Sequence, residues 1–230
     1  MPHLSPPGLA GRFFPCDYWL KGPLARAFFS TGCDLRHAEW LYGSSSFPGG
    51  RPPLRMSNIA YVAVFNFLAG TGPEHRGLSL LEVLRRPDTE LEDDHAYIQW
   101  LFPLDTPSEV NEHAPVLTRA ELRALGENVA AAAGTAQAFD RMLAFLGLEA
   151  RVTRTAVTVA PGPTFSQRAE DWLLVPTHND LRISRMLRSL ALQAQHSRAQ
   201  AFLEALTCLI GPGLYRQRAL TRWRAAAQNG

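Results

Sequence analysis

The longest apolar run of the chain, Ile59-Ala-Tyr-Val-Ala-Val-Phe-Asn-Phe-Leu-Ala69, is about half as long as a bilayer crossing requires and predicts a buried core helix. A short amphipathic helix follows over 78–84, after a turn-rich loop. Leu91, Ile98 and Leu101 then fall near one side of a helix over 91–101. His95 and Gln99 lie one turn apart on a neighbouring side, and Pro103 stops the helix. Thr118-Arg-Ala-Glu121 has capping-box spacing and predicts a helix from Arg119. Residues 130–134 are alanine-rich and weakly specified. Phe139, Met142, Leu143 and Phe145-Leu146 give a helix that Gly147 can terminate. The Val- and Thr-rich residues 152–159 favour an extended conformation, and with no evident partner they read as a loop with a short strand. A helix over 180–193 buries Ile183, Met186, Leu187 and Leu190, and helices over 198–209 and 220–227 close the chain around Gly211-Pro-Gly213.

These periods predict an all-α fold, a single-domain irregular helical bundle of about seven to nine helices. Residues 1–54 are broken up by Pro6-Pro7, Gly22-Pro23, Pro48-Gly-Gly50 and Pro52-Pro53. They read as an irregular N-terminal segment with short helices over 24–30 and 35–41, ahead of a helical domain over 55–228.

Net charge is only +2 in 230 residues, so the chain as a whole makes no electrostatic demand for nucleic acid. The distribution is uneven. From residue 181 onward Arg182, Arg185, Arg188, Arg198, Arg216, Arg218, Arg222 and Arg224 face Glu204 alone, and the run 88–94 concentrates Asp88, Glu90, Glu92, Asp93 and Asp94. Lys21 is the only lysine among the basic residues, a bias that with Ala and Pro enrichment points to a GC-rich, bacterial genome. Cys16, Cys33 and Cys208 are odd in number and widely spaced. That pattern argues against a disulfide framework or zinc knuckle and for a reducing, cytoplasmic setting. Met1 to Pro15 lacks the apolar run of a signal peptide.

Two clusters carry candidate chemistry. In the first, His95 and Gln99 can grip one polar ligand beside the indole of Trp100, or can equally cap backbone groups around a core Trp. In the second, His178 and Asn179 open a helix whose Arg182, Arg185 and Arg188 form a basic stripe. That stripe can fork-bond a carboxylate or phosphate, or pair internally with the acidic run 88–94. If the two clusters meet, their shared groove is the best candidate site. No His-Glu-x-x-His, Gly-x-Ser-x-Gly, Walker or dinucleotide motif occurs, and paired histidines at metal spacing are lacking, so no cofactor or metal is expected.

The stretch Leu91-Glu-Asp-Asp-His-Ala-Tyr-Ile-Gln-Trp-Leu-Phe-Pro-Leu104, its continuation Asn111-Glu-His-Ala-Pro-Val-Leu-Thr-Arg-Ala-Glu121, and Pro176-Thr-His-Asn-Asp-Leu-Arg-Ile-Ser-Arg-Met-Leu-Arg-Ser-Leu190 together resemble the opioid growth factor receptor family. The resemblance runs from about residue 59 to 226. It departs from the family pattern at Asp180, where a His is expected, and at Leu146, where a Tyr is usual. In the animal proteins the domain is associated with binding the peptide met-enkephalin, restraining proliferation, and a nuclear or perinuclear membrane location. The resemblance therefore implies opioid growth factor receptor activity. For this chain it points to a non-catalytic intracellular domain that binds a peptide or small anionic or zwitterionic ligand through His95, Gln99, Trp100, His178, Asn179, Arg182 and Arg185. The alternative is an enzyme acting on phosphate or nucleotide groups, with a His as general acid-base and the arginines as clamps.

Overall fold

The computed structural model describes residues 54–173, 177–210 and 214–228, with side chains from Ile59 onward and, in the last stretch, from Arg216. The expectations for residues 1–53 lie outside them. The helices are α1 (Leu54–Leu68), α2 (Leu80–Arg85), α3 (Asp88–Asp93), α4 (Tyr97–Leu101), α5 (Arg119–Glu127) and α6 (Val129–Phe145). After the strands β1 (Leu148–Val152) and β2 (Val157–Pro161) come α7 (Phe165–Arg168), a 3-10 turn (Ala169–Asp171), α8 (Asn179–Leu192), α9 (His196–Leu209) and α10 (Leu214–Gln228). The architecture is mostly helical, with ten α-helices among the described residues, but it is not purely α. None of the described helices is long and apolar enough to cross a membrane.

The hairpin corrects the reading of 152–159 as a strand without a partner. Its partner is the segment just before it: Leu148 lies opposite Pro161 and Val152 opposite Val157 in an antiparallel pair. Gly147, at φ +77, ends α6 and turns the chain back, a conformation that favours glycine. Thr153 closes the far end, its amide donating to the Ala156 carbonyl at 2.8 Å. The hairpin survives as a two-stranded ribbon because α9 packs against β2.

Local signals set most helix starts. Ser79 and Glu82 form a capping box at α2, Thr118 and Glu121 do the same at α5, and the Asn128 side chain caps α6. The alanine-rich residues 130–134 continue into Phe139 and Phe145 as one helix of 17 residues. Its buried side carries Ala131, Ala138, Phe139, Met142 and Leu143. This side meets α1 through Val64, Phe67 and Leu68, and Phe139 meets Phe202 of α9 edge to face at 5.7 Å. The buried face of α8, with Ile183, Met186, Leu187 and Leu190, lies under α9 and α10. Trp223 of α10 donates from its indole to the Asp180 carbonyl at 3.1 Å.

The helix expected over 91–101 is two helices, α3 and α4, interrupted at 94–96. The Asp94 carboxylate accepts from the Ala96 amide at 2.8 Å, a local turn that competes with the helical ladder. His95 therefore sits in the break and not one turn from Gln99 on a common helix.

A polar seam crosses the core. Thr135 donates to the Gln193 side chain at 3.0 Å, Gln193 donates to Ser189 at 3.0 Å, and Ser189 donates to the Pro103 carbonyl at 2.8 Å. Here α5 passes so close to the end of α8 that a Cβ on Gly126 would fall 1.7 Å from the Gln193 carbonyl oxygen. Backbone, not a flexible side chain, meets that atom, so Gly126→Ala should destabilise by about 1–3 kcal/mol through overpacking. A lowered midpoint in urea titration, with unchanged slope, is the expected reading.

Candidate functional site

Arg182, one turn into α8 and 4% exposed, is the hinge of the arrangement. One arm donates from Nη2 to the carbonyls of Leu91 at 2.8 Å, Glu92 at 3.0 Å and Asp94 at 2.9 Å. These are the groups that the end of α3 leaves without helical partners. The other arm donates from Nη1 to Asn179 Oδ1 at 2.9 Å, and Asn179 in turn donates to Glu92 Oε1 at 3.0 Å. The guanidinium also stands 5.7 Å from the Tyr97 ring centroid and 5.5 Å from that of Phe145. Burial pushes the Tyr97 hydroxyl up to about 12, so it stays protonated at any physiological pH.

Glu92 gathers the rest. His178 Nε2 lies 2.7 Å from Glu92 Oε1, Arg182 Nη1 lies 3.6 Å from Oε2, and Arg168 Nη2 lies 3.9 Å from Oε2. The His178 contact is short, but its geometry is not that of a hydrogen bond. Glu92 Oε2, Arg168 Nη2 and His178 Nε2 are all buried atoms without a hydrogen-bond partner. Above them the His95 and His178 rings meet at 4.9 Å, tilted by 56°. His95 Nδ1 is 3.0 Å from the Asp93 carbonyl, and His95 is exposed. Burial holds the His178 imidazole below its ordinary range, with Arg182 and His95 acting in the same direction against the Glu92 carboxylate.

The acidic run is paired mainly by arginines that the sequence reading did not single out. Arg141 donates to Asp88 at 2.7 Å and to the Leu84 and Arg86 carbonyls at 3.0 and 2.8 Å. Arg76 reaches Asp94 at 2.8 Å, and Arg86 binds both Asp94 and Glu90. Burial works to raise the Asp94 carboxyl, but the Ala96 amide, Arg76 and Arg86 outweigh it and hold the group below its usual value. Only the convergence of distant elements reveals these partners, since no local spacing links Arg141 or Arg168 to residues 88–92.

The other two stripe arginines leave the cluster. Arg185 donates to the Phe102 carbonyl at 3.2 Å, and burial, then Arg188, push its guanidinium down to about 10. Arg188 binds Asp105. Nor does the start of α8 offer free amides. Residue 178 is the N-cap without a side-chain cap, and the amides of Asn179, Asp180, Leu181 and Arg182 bond to Thr177 Oγ1, the Thr177 carbonyl and, for the last two, the His178 carbonyl.

Gln99 and Trp100 form a separate group. The Gln99 amide, 2% exposed, accepts from Asn111 at 2.8 Å and donates to Ser108 at 3.3 Å, pinning the loop after Pro103. Trp100 meets Phe67 edge to face at 5.8 Å and stacks on His75 at 5.7 Å, and His113 tilts over His75 at 5.5 Å. His75 Nδ1 is 2.7 Å from the buried Glu74 carboxylate. The Trp100 indole N–H is buried without an acceptor. Of the predicted residues, His95, His178, Asn179 and Arg182 come together, while Gln99, Trp100 and Arg185 stand elsewhere. Among the described residues no three His, Cys, Asp or Glu side chains converge as metal ligands would.

Residues 76–210 match the opioid growth factor receptor conserved region, a span narrower at both ends than the motifs suggested. The mouse and human opioid growth factor receptors are each 39% identical over 100 residues, covering 44% of this chain and 15% and 14% of those proteins. The opioid growth factor receptor-like protein 1 of Xenopus tropicalis is 36% identical over 117 residues, covering 50% of this chain and 22% of that protein. The chain thus spans a small part of the length of these relatives. No solved structure matches it.

Two outcomes follow from the geometry. Arg182→Ala leaves three backbone carbonyls and the Asn179 amide oxygen without their donor and should cost about 3–5 kcal/mol in chemical denaturation. Arg182→Lys should recover little of it, because an ammonium cannot reproduce the fork to both arms. His178 gives a pH signature. Its folded-state pKa lies below the unfolded value, so the unfolded chain binds more protons and stability declines as pH drops below about 6.5. The loss is complete once pH has passed the folded pKa. His178→Gln should flatten that part of a thermal-midpoint profile while leaving its more acidic limb in place.

Proposed function

We propose, for a chain that belongs to the opioid growth factor receptor conserved-region family, that it is a binding domain and that its ligand, a peptide or a small anionic or zwitterionic molecule, engages the rim formed by His95 and His178. The observation that carries this reading is the meeting of the two rings at 4.9 Å above Glu92, from motifs 83 residues apart. Those rings lie at the surface, while Arg182 and Asn179 beneath them are engaged in holding α3 to α8. Recognition by a few polar groups on a rigid floor is a common way to orient a ligand. The relatives' name, receptor for an opioid growth factor, favours a peptide over other ligands.

The test is titration of the folded protein with met-enkephalin, followed by the imidazole proton signals of His95 and His178 and by calorimetry. Saturable shifts of both rings are expected. The double variant His95→Ala/His178→Gln should weaken binding at least about tenfold, the scale of one lost charge-assisted contact, with an unchanged far-ultraviolet spectrum. Binding that persists in the double variant would place the ligand elsewhere. A Glu-backed imidazole also suits general acid-base work, so turnover of a phosphate ester abolished by His178→Gln would replace the binding reading with the enzymatic one.

A further inference from the structure

Around the site, arginines withdrawn from water each meet a carboxylate: Arg141 holds Asp88, Arg86 holds Asp94, Arg182 stands beside Glu92, and Arg188 binds Asp105. That is the usual condition for such a guanidinium, because an uncompensated charge away from water is costly. Arg185 breaks the pattern. It is half-buried in the middle of α8, and among the described residues no carboxylate lies within ion-pair reach of it. Its hydrogen bond there runs from Nη1 to the Phe102 carbonyl at 3.2 Å, a neutral acceptor at the long end of the usual range.

The charge that acts on Arg185 is of its own sign. Arg188 follows three residues later on α8, a spacing that makes side chains neighbours, with about 5–6 Å between their Cβ atoms. Burial and then this second guanidinium push Arg185 down, and no acid acts in the opposite direction. Asp105 cannot serve both arginines. Its Oδ1 accepts from Arg188 and its Oδ2 from Arg119 at 3.1 Å. Arg188 Nε, buried beside them, has no acceptor. Arg185 Nε and Nη2 make no hydrogen bond among the described residues either, but they are not sealed from solvent, so an incoming group can reach them.

We propose that Arg185 anchors an anion site between α8 and the chain at 102–105, where one oxyanion group, of phosphate or carboxylate chemistry, supplies the missing counter-charge. The planar fork presents Nε and Nη2 side by side, the pair of donors that two oxygens of such a group accept together. Arg188 adds its positive field to the attraction. A guanidinium left unmatched lowers the stability of the empty protein and raises its affinity for an anion, a trade common at binding sites. This site lies apart from the histidine rim, whose nearest charge is the Glu92 carboxylate, and does not depend on ligand binding there.

The probes are inorganic phosphate and acetate, titrated separately into the full chain at neutral pH and constant ionic strength. The arginine Nε–H signals are followed by nuclear magnetic resonance and the thermal midpoint is read in parallel. At least one anion should move the Arg185 signal saturably and raise the midpoint, as a ligand bound only by the folded state requires. A response to phosphate alone assigns the site to phosphate groups, and a response to acetate extends it to carboxylates. Arg185→Met keeps the apolar stem and removes the charge. Without anion its midpoint should equal or exceed that of the unsubstituted protein, and its affinity for the anion should fall at least about tenfold. If that variant does not fold, Arg185→Lys gives the same reading of affinity, because an ammonium keeps the charge but not the fork. Failure of both anions to move the Arg185 signal overturns the proposal, and so does a response undiminished by the substitution. No response together with a lower midpoint for Arg185→Met would make the residue a brace for the Phe102 carbonyl instead.

Discussion

One buried guanidinium holds the two diagnostic segments of this chain together. The end of α3 leaves carbonyls at Leu91, Glu92 and Asp94 facing the interior, where unpaired backbone oxygens are costly, and Arg182 donates to all three. An arginine can do this because its planar fork keeps two arms at a fixed angle, one on the carbonyls and the other on Asn179. The guanidinium is itself tolerable in the interior because acceptor oxygens, ring faces and the nearby Glu92 carboxylate share its charge. With the helix already broken by the Asp94 turn, the position of Glu92 and the meeting of His95 with His178 both rest on that one contact.

Helix existence was legible wherever a local signal set it. Thr118 and Glu121 are three residues apart and make their capping box as the spacing requires, and the 3.6-residue pattern of Ile183, Met186, Leu187 and Leu190 lies buried as read. What escaped was decided by distant partners. A period running smoothly through 91–101 could not disclose that Asp94 would turn on the Ala96 amide and give its carbonyl to a residue 88 positions later. Leu148–Val152 carries no strong strand signal, and it becomes a strand because Gly147 folds it onto the Val-rich segment that follows. The candidate site was legible in composition and not in role. The stripe of Arg182, Arg185 and Arg188 is real in spacing, yet its members diverge to Leu91, Phe102 and Asp105, while Arg141, Arg168, Arg86 and Arg76 pair the acidic run.

The family match stops short of α1 and α10, but neither helix is peripheral to the core. Val64, Phe67 and Leu68 of α1 are buried against α6, and Phe67 forms the inner end of the aromatic column through Trp100 and His75. Trp223 of α10 reaches the Asp180 carbonyl in the first turn of α8, one turn from the guanidinium that fixes the site. Sequence outside the shared region thus buttresses residues inside it, and a fragment cut at 76 and 210 would lose apolar cover on two sides.

The span of the Arg182 contacts also bears on the order of events during folding. The caps of α2, α5 and α6 close within three residues and can form as soon as their segments exist, on the sub-microsecond to microsecond scale of helix formation. The bonds from Arg182 to Leu91 and Glu92 close loops of 91 and 90 residues, whose entropy must be met before any of those contacts contributes. A chain that has built its helices but not joined residue 182 to residue 91 therefore has no histidine rim at all. The meeting of His95 with His178 comes into being with this long-range closure, which makes its presence a report on the tertiary structure and not on helix content.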